Sequence, residues 1–457
     1  MTRRRLAVVA LLGAVAAGCG TVFNLPANRP ITAESPRLDA ADSAVISGDV
    51  AVALSFSGGG TRAAAFAHGV LTALDRMPGK GGRSNLDRVV FVSGVSGGSV
   101  AAAYFGLKGR DALTDFREKF LERNAEESLD TQISVANLVR GLEGGVNDST
   151  RLPAWLDRQL FHGATIADLY RPNRPLVWIN ASDLYNRTPF HFSPSTFTAL
   201  CSDITTYPLS HAVAASAAVP VAFAPIVLES FPNSCEAPLP SWVNRVLKSS
   251  TAGSQVRAFA QALTRYRDPG QLRYVKLADG GLVDNFGLTG IVITREIVDK
   301  PYAPLTPERA VKLRRVLFVV VNAGRGPSGD WGRKLEGPSG RELFGAVTDT
   351  AIDAAASSSF DAFRLTMSQW EAATRKWRCG LSAAEAQKLG AGPGWRCADV
   401  TFDIAEIAFS QLGDRAAILN AVPTRLKLER DEVDLVVNAG IEATMAHPVV
   451  RQSLGVR

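Results

Sequence analysis

Three short stretches of this 457-residue chain hold residue types able to cleave an ester by nucleophilic catalysis. Gly94-Val95-Ser96-Gly97-Gly98 has the G-x-S-x-G spacing. A nucleophilic serine stands exposed when a strand turns sharply into a helix, and small neighbours let the backbone make that turn. Ser57-Gly58-Gly59-Gly60-Thr61-Arg62 is the second stretch. Its successive glycines leave backbone N–H groups able to point at an anion, and a following helix N-terminus adds its dipole. In acyl transfer that anion is the oxyanion of the tetrahedral intermediate. Neither G-x-x-x-x-G-K-[ST] nor G-x-G-x-x-G occurs there, which argues against a nucleotide phosphate cradle. The third stretch is Asp279-Gly280-Gly281, with Asp284-Asn285 just beyond. An aspartate at a strand end, with glycines permitting close backbone approach, could reach a serine hydroxyl and act as its base.

The alternative base is a histidine. Of His68, His162, His191, His211 and His447, only the last four follow Ser96, as the order Ser…Asp/Glu…His of an α/β-hydrolase demands. None lies in a glycine-rich setting that would present it, and His447 precedes Pro448. An α/β-hydrolase-type Ser-His-Asp esterase stays open at this point, as does a non-catalytic lipid-binding lipoprotein.

Alternating strands and helices must position these residues. Val50–Phe56, Val89–Val95, Leu176–Ala181, Tyr274–Ala278 and Val316–Asn322 read as apolar strands. Ala63–Met77 and Ser99–Leu107 read as the helices after the first two. Strands this apolar, separated by helices, indicate a parallel sheet covered on both faces. Helical residues follow near Leu343–Trp377, then a strand over Val400–Phe409 and a helix over Asp431–Met445. The stretch 229–273 breaks the rhythm and reads as an insertion. Trp242, Val243, Val246 and Leu247 share one helical face, and Val256, Phe259, Leu263 and Tyr266 repeat the stripe. With Arg245, Lys248, Arg257, Arg265 and Arg267 alongside, two readings compete: a lipid-contacting gate, or a cap packed on the domain.

With 46% hydrophobic and 21% charged residues the chain is of globular type. The net charge of +6 is halved once Arg3, Arg4 and Arg5 are set aside, and no basic stripe interleaved with aromatics survives, so nucleic acid is excluded as an expected partner. Those arginines open a signal-like segment whose apolar run, Leu6 to Ala17, is short for a membrane span. Ala17-Gly18-Cys19 resembles a bacterial lipoprotein cleavage box, with Cys19 as the lipid anchor. The expected organisation is a lipoprotein signal peptide over 1–18, a proline-containing tether over 19–49, and one hydrolase domain over 50–457. Gly20 after the cysteine points to the outer membrane, facing the periplasm or the cell surface. If Cys19 takes lipid, Cys201, Cys235, Cys379 and Cys397 form an even set suited to disulfides in an oxidising compartment, and proximity favours 201 with 235 and 379 with 397.

Taken together, GGGTR, GVSGG and DGG in this order resemble the patatin-like phospholipases. LVWINASDL and AVAASAAVPVAFAPI are also similar to that family, and PTRLKL and VDLVVNAG echo it faintly. One departure is Ala63, where the family commonly has glycine. The resemblance implies an α/β fold, a three-layer α/β/α sandwich with a central, mainly parallel sheet. It implies a lipid acyl hydrolase, of phospholipase A or lysophospholipase-like type, acting through a Ser–Asp dyad and an acyl-enzyme. Carried over by motif, Ser96 is the nucleophile and Asp279 the base. Gly58, Gly59 and Gly60 form the oxyanion loop, with the N–H groups of Gly59 and Gly60 as its donors and Arg62 supporting it. The expected partners are a phospholipid or other acyl ester and, through the N-terminal lipid, a membrane surface. The chemistry requires neither metal nor organic cofactor.

Overall fold

The computed structural model describes residues 24–38, 48–129, 147–220, 222–236, 238–326 and 331–456. The signal segment and Cys19 lie outside them. The chain begins its sheet with β1 (Val50–Phe56), α1 (Gly60–Arg76), β2 (Val89–Val95) and α2 (Gly97–Lys108), followed by β3 (Leu176–Asp183) and β4 (Thr188–His191). Helix α3 (Leu209–Ser216) leads to β5 (Ile226–Glu229). Helices α4 (Ser241–Lys248) and α5 (Ser254–Tyr266) then precede β6 (Tyr274–Asp279), a one-turn helix α6 (Gly281–Asp284) and α7 (Thr289–Ile297). Beyond them come β7 (Arg315–Asn322), α8 (Gly340–Cys379), β8 (Thr401–Ala408) and α9 (Arg430–Ala446).

The strands form one sheet in the order β5-β6-β3-β2-β1-β7-β8, with β4 paired to β3. From β3 to β8 every pairing along this order is parallel, whereas β6 runs antiparallel to both β3 and β5. The apolar runs therefore end up central, and their alternation divides two cores. Val52, Leu54 and Phe56 of β1 join a cluster with Phe66, Val70 and Val433, while Ala51 and Ala53 face a second with Phe286, Phe363 and Trp370. Strand β7 splits the same way: Leu317, Val319 and Val321 on one side, Val316, Phe318 and Val320 on the other. Successive side chains of a strand point to opposite faces, so a strand apolar at every position needs helices on both. Three layers follow from that alone.

Helix α9 docks across α1 at unusually short range, because a Cβ on Gly69 would lie 2.2 Å from the Val437 carbonyl oxygen and one on Gly440 2.5 Å from that of Phe66. This close crossing secures the C-terminal third to the helix that follows the glycine loop. Cys201 is bonded to Cys235 and Cys379 to Cys397, with Cα separations of 5.5 and 4.7 Å.

Of the two readings of the 229–273 stretch the structure keeps the cap and overturns the gate, and it corrects the reading of the tether. The stripes in the 229–273 excursion are core, since Val243, Val246, Val256, Phe259, Leu263 and Tyr266 are all buried in the first cluster. Trp242 stacks on Phe259 with ring centroids 6.1 Å apart. Its basic residues are also employed within the fold: Arg245 pairs with Asp299 at 2.9 Å, and Arg267 donates to the Ala199 and Thr198 carbonyls at 2.8 Å. The segment is a cap, and no residue of it lines the pocket described below. Likewise, part of the stretch read as a tether is folded onto the domain. The Asn28 amide donates to the Glu229 carbonyl (2.8 Å) and to Ser202 Oγ (3.0 Å), and Ile31 N–H donates to the Cys201 carbonyl (2.9 Å).

Candidate active site

Ser96 sits at the tip between β2 and α2 with φ 51° and ψ −125°. A non-glycine residue held at positive φ costs on the order of 1–3 kcal/mol and persists only where its surroundings enforce it. Here they do. Its N–H donates to Ser216 Oγ (2.9 Å), and its carbonyl accepts the Ser99 hydroxyl (2.6 Å) and N–H (2.9 Å). The glycines of G-x-S-x-G are a matter of space: a Cβ on Gly97 would stand 1.8 Å from the Gly60 carbonyl oxygen, and one on Gly94 2.6 Å from Ser99 Cα.

The aspartate arrives from β6, three strands away in sequence order yet next to β3 in space. The end of α3 holds both halves of the pair. Ser216 receives the Ser96 N–H on its hydroxyl and the Gly280 N–H on its carbonyl (3.0 Å), while Ala218 receives the Asp279 N–H (2.9 Å). The Ser216 hydroxyl in turn donates to the Asn180 carbonyl at 2.6 Å. Ser96 and Asp279 thereby line the same pocket, with the serine hydroxyl near enough to the carboxyl to favour its charged form. Burial pushes the Asp279 carboxyl up to about 6, opposed by the Ser96 hydroxyl and by the Gly281 N–H, which donates to Oδ1 at 2.8 Å. A carboxylate whose affinity for a proton is raised by burial, yet which is ionised near neutrality, is a far better general base than an exposed one.

The glycine loop closes the other side. Gly58 does not present a donor, because its N–H is committed to Asn285, to the backbone oxygen at 3.1 Å and to Oδ1 at 3.2 Å. The N–H groups of Gly59 and Gly60 carry no such bond among the described residues and stand where the loop runs into α1. Arg62 is buried beneath them and braces the loop, donating to the Val422 carbonyl (2.7 Å) and the Ala323 carbonyl (2.9 Å). Burial, then the neighbouring Arg325, brings its guanidinium down to about 10, so it remains cationic. Thr61 N–H donates to the Arg425 carbonyl at 2.9 Å, which makes the C-terminal Pro-Thr-Arg stretch a wall of the site.

These residues enclose a pocket of about 230 Å³ lined by Ser96, Asp279, Gly58, Gly59 and Gly60, by Pro220 and Phe223, and by Asp349 and Asp353. No histidine lines it. His191 is buried elsewhere, with Nδ1 against Asn180 Oδ1 at 2.7 Å, and burial holds it down to about 4. His68 is likewise held down to about 4, and His211 and His447 are lowered by burial. Among the described residues no group of three or more His, Cys, Asp or Glu could hold a metal. The positioning residues Asn180 and Ser216 are signalled only by the family likeness of LVWINASDL and AVAASAAVPVAFAPI, and Asn285 by its closeness to the DGG turn; Asp349 and Asp353 of α8 carry no signal that ties them to Ser96.

The pattern that defines the patatin-like phospholipases matches residues 54–291, just over half of the chain, and the chain belongs to that family. Among solved structures it is similar to human GIVD cytosolic phospholipase A2, at 13% identity over 89% of this chain and 63% of that one, with a TM-score of 0.42. The same enzyme in complex with methyl gamma-linolenyl fluorophosphonate aligns at 15% identity over 89% and 60%, TM-score 0.37. VipD from Legionella pneumophila aligns at 11% identity over 92% and 71%, TM-score 0.29. The chain thus spans under two thirds of the human enzyme's length. No curated protein matches it.

Proposed function

We propose that the chain hydrolyses the acyl ester bonds of phospholipids or related lipids through a Ser96–Asp279 dyad. The observation that carries this reading is the meeting of Ser96 and Asp279 in one pocket whose lining holds no histidine, together with the unbonded N–H groups of Gly59 and Gly60. Asp279 takes the Ser96 proton as Oγ attacks the ester carbonyl. The developing oxyanion is met by the two glycine N–H groups, a contribution typically worth 10²–10³ in rate per donor. Collapse breaks the C–O bond, and the proton on Asp279 passes to the leaving alcohol. Water then attacks the acyl-enzyme, giving its proton to Asp279, and fatty acid leaves with Ser96 restored. Neither metal nor cofactor enters any step.

The test is turnover of a soluble ester and of phospholipid by purified variants. Ser96→Ala and Asp279→Asn each abolish both activities with the fold intact, whereas single replacement of His162, His191, His211 or His447 leaves most activity. A folded histidine variant as inactive as Ser96→Ala would instead establish a triad.

In the same reading the protein is an exported lipoprotein acylated at Cys19, and the two disulfides support an oxidising compartment. Partition into detergent with membranes, lost in Cys19→Ala, is the result expected.

A further inference from the structure

We infer that the mouth of this pocket rests against the membrane that anchors the chain, with residues 331–347 and the rim side chains Val219 and Leu25 forming the docking surface. The inference rests on the acyl-hydrolase and anchor readings above and names the route by which substrate arrives.

The first observation is the distribution of exposed apolar bulk. Helix α8 is 40 residues long, yet its first buried side chain among the described ones is Ala356. Its N-terminal part is not idle, because Thr348, Asp349, Ile352 and Asp353 line the pocket. The chain leaves the pocket lining at Arg325 and returns to it at Thr348. Between those points Leu335 is 100% exposed, Val347 61%, Leu343 51% and Trp331 37%. Val219, in the lining itself, is 46% exposed, and Leu25 is 75% exposed. These are six of the eleven large apolar side chains exposed on the described surface; Val219 lines the pocket, and Val347 and Leu343 stand next to and one turn before the lining residue Thr348. Exposed apolar bulk beside a pocket mouth marks a partner.

Charge says which partner. From Leu343 to Phe360 the only charged residues are Asp349 and Asp353, and both line the pocket, which leaves the outer face of this helical stretch uncharged. Arg333 and Lys334 precede Leu335 and Glu336 follows it, a net positive charge that favours anionic headgroups around a buried apolar residue.

The second observation is independent and concerns where the chain goes. Asn24 Oδ1 accepts the Ser149 N–H at 3.3 Å, and Asn147, two residues earlier, bridges to Phe223 of the pocket lining. Asn28 is fixed to Ser202 and Glu229. Cys19 is five residues from Asn24, so an acyl chain on it lies within about 18 Å of that point even if the chain is fully extended. A bilayer holding that acyl chain is brought to the rim that carries Val219 and Phe223. Because Asn28 is pinned, the domain has little leash on which to turn over. The enzyme therefore draws its substrate from its own membrane.

The chain from Gly20 onward keeps every described residue and removes the acylated cysteine, so rim and anchor are separated. Its Leu335→Ser/Leu343→Ser/Val347→Ser variant is compared with a control, Leu184→Ser/Leu365→Ser, which alters apolar residues exposed elsewhere. Flotation with phosphatidylethanolamine–phosphatidylglycerol vesicles, hydrolysis of those vesicles, and hydrolysis of p-nitrophenyl butyrate are measured. We expect the rim variant to lose about tenfold or more in vesicle binding and vesicle hydrolysis, since apolar burial supplies that affinity, with the soluble ester within about twofold. The control changes none of the three. Vesicle binding that survives the rim substitutions, or a wild type that does not float, overturns the docking surface. So does an equal loss on both substrates with a lowered Tm, which would make the segment structural. Should the wild type cleave neither substrate while rim substitutions still abolish vesicle binding, the docking surface stands and the catalytic reading falls.

Discussion

Replacing Asp279 with asparagine is predicted to remove activity and stabilise the fold, with a pH signature that identifies the carboxyl. Its displacement from an ordinary 3.8 to about 6 is caused first by burial. Each tenfold change in a proton equilibrium is about 1.4 kcal/mol, so holding this carboxylate ionised costs folding roughly 3 kcal/mol at neutral pH. The sign follows from linkage. A group whose folded pKa is raised contributes stability that is fully present below its unfolded pKa, near 3.9, and lost as pH rises through about 6. Asparagine retains an acceptor for the Gly281 N–H but carries no charge to desolvate. The variant should be more stable than wild type by about 1–3 kcal/mol at pH 8 and nearly equal to it below pH 4. Calorimetry or thermal scans at half-unit intervals from pH 4 to 8 would show the two Tm curves diverging chiefly between pH 4 and 6, then running parallel. In parallel, wild-type kcat/KM for a soluble ester should rise with pH to an inflection near 6 and then level. An Asp279→Asn variant less stable than wild type at every pH, or a gain independent of pH, would refute the reasoning.

Other consequences are equally direct. Arg62→Met leaves the Ala323 and Val422 carbonyls without their donor and should cost about 3 kcal/mol or more by denaturant titration, with lysine a poor rescue because one ammonium cannot span both. Gly97→Ala pushes a methyl to within 1.8 Å of the Gly60 carbonyl oxygen, so the glycine loop must shift. We expect near-complete loss of kcat with about 1–3 kcal/mol of destabilisation. Reducing Cys201–Cys235 and Cys379–Cys397, which close loops with sequence separations of 34 and 18, should each cost about 3–4 kcal/mol, read as a fall in Tm under reductant.

How much of this was legible in the sequence depends on the range of the interaction responsible. β1, β2 and β7 announce themselves because a strand buried on both faces is apolar at every position. Ser96 and the glycine loop are legible because a tight turn constrains its own neighbours. β4 and β5, four residues each, are too short to show a period and exist because longer strands offer them an edge. Ser216 reaches the site from 120 residues away, marked only by the family likeness of its stretch, and Asn285 lies 227 residues from the Gly58 it holds, marked only by the DGG turn beside it. The stripes of α4 and α5 left two readings open, because a helix facing a core and one facing lipid require the same periodicity. Only burial of Val246 and Phe259 separates the two. Conversely, α8 has no marked stripe over its first four turns, and its exposed face became visible only when the pocket beside it was.

The most direct test of the central claim is intact-mass and peptide analysis after reaction with a fluorophosphonate. The account predicts one adduct per chain, on the peptide containing Ser96, absent in Ser96→Ala and slowed by orders of magnitude in Asp279→Asn. Labelling at full rate in Asp279→Asn, or an adduct on any other serine in an active preparation, would contradict it.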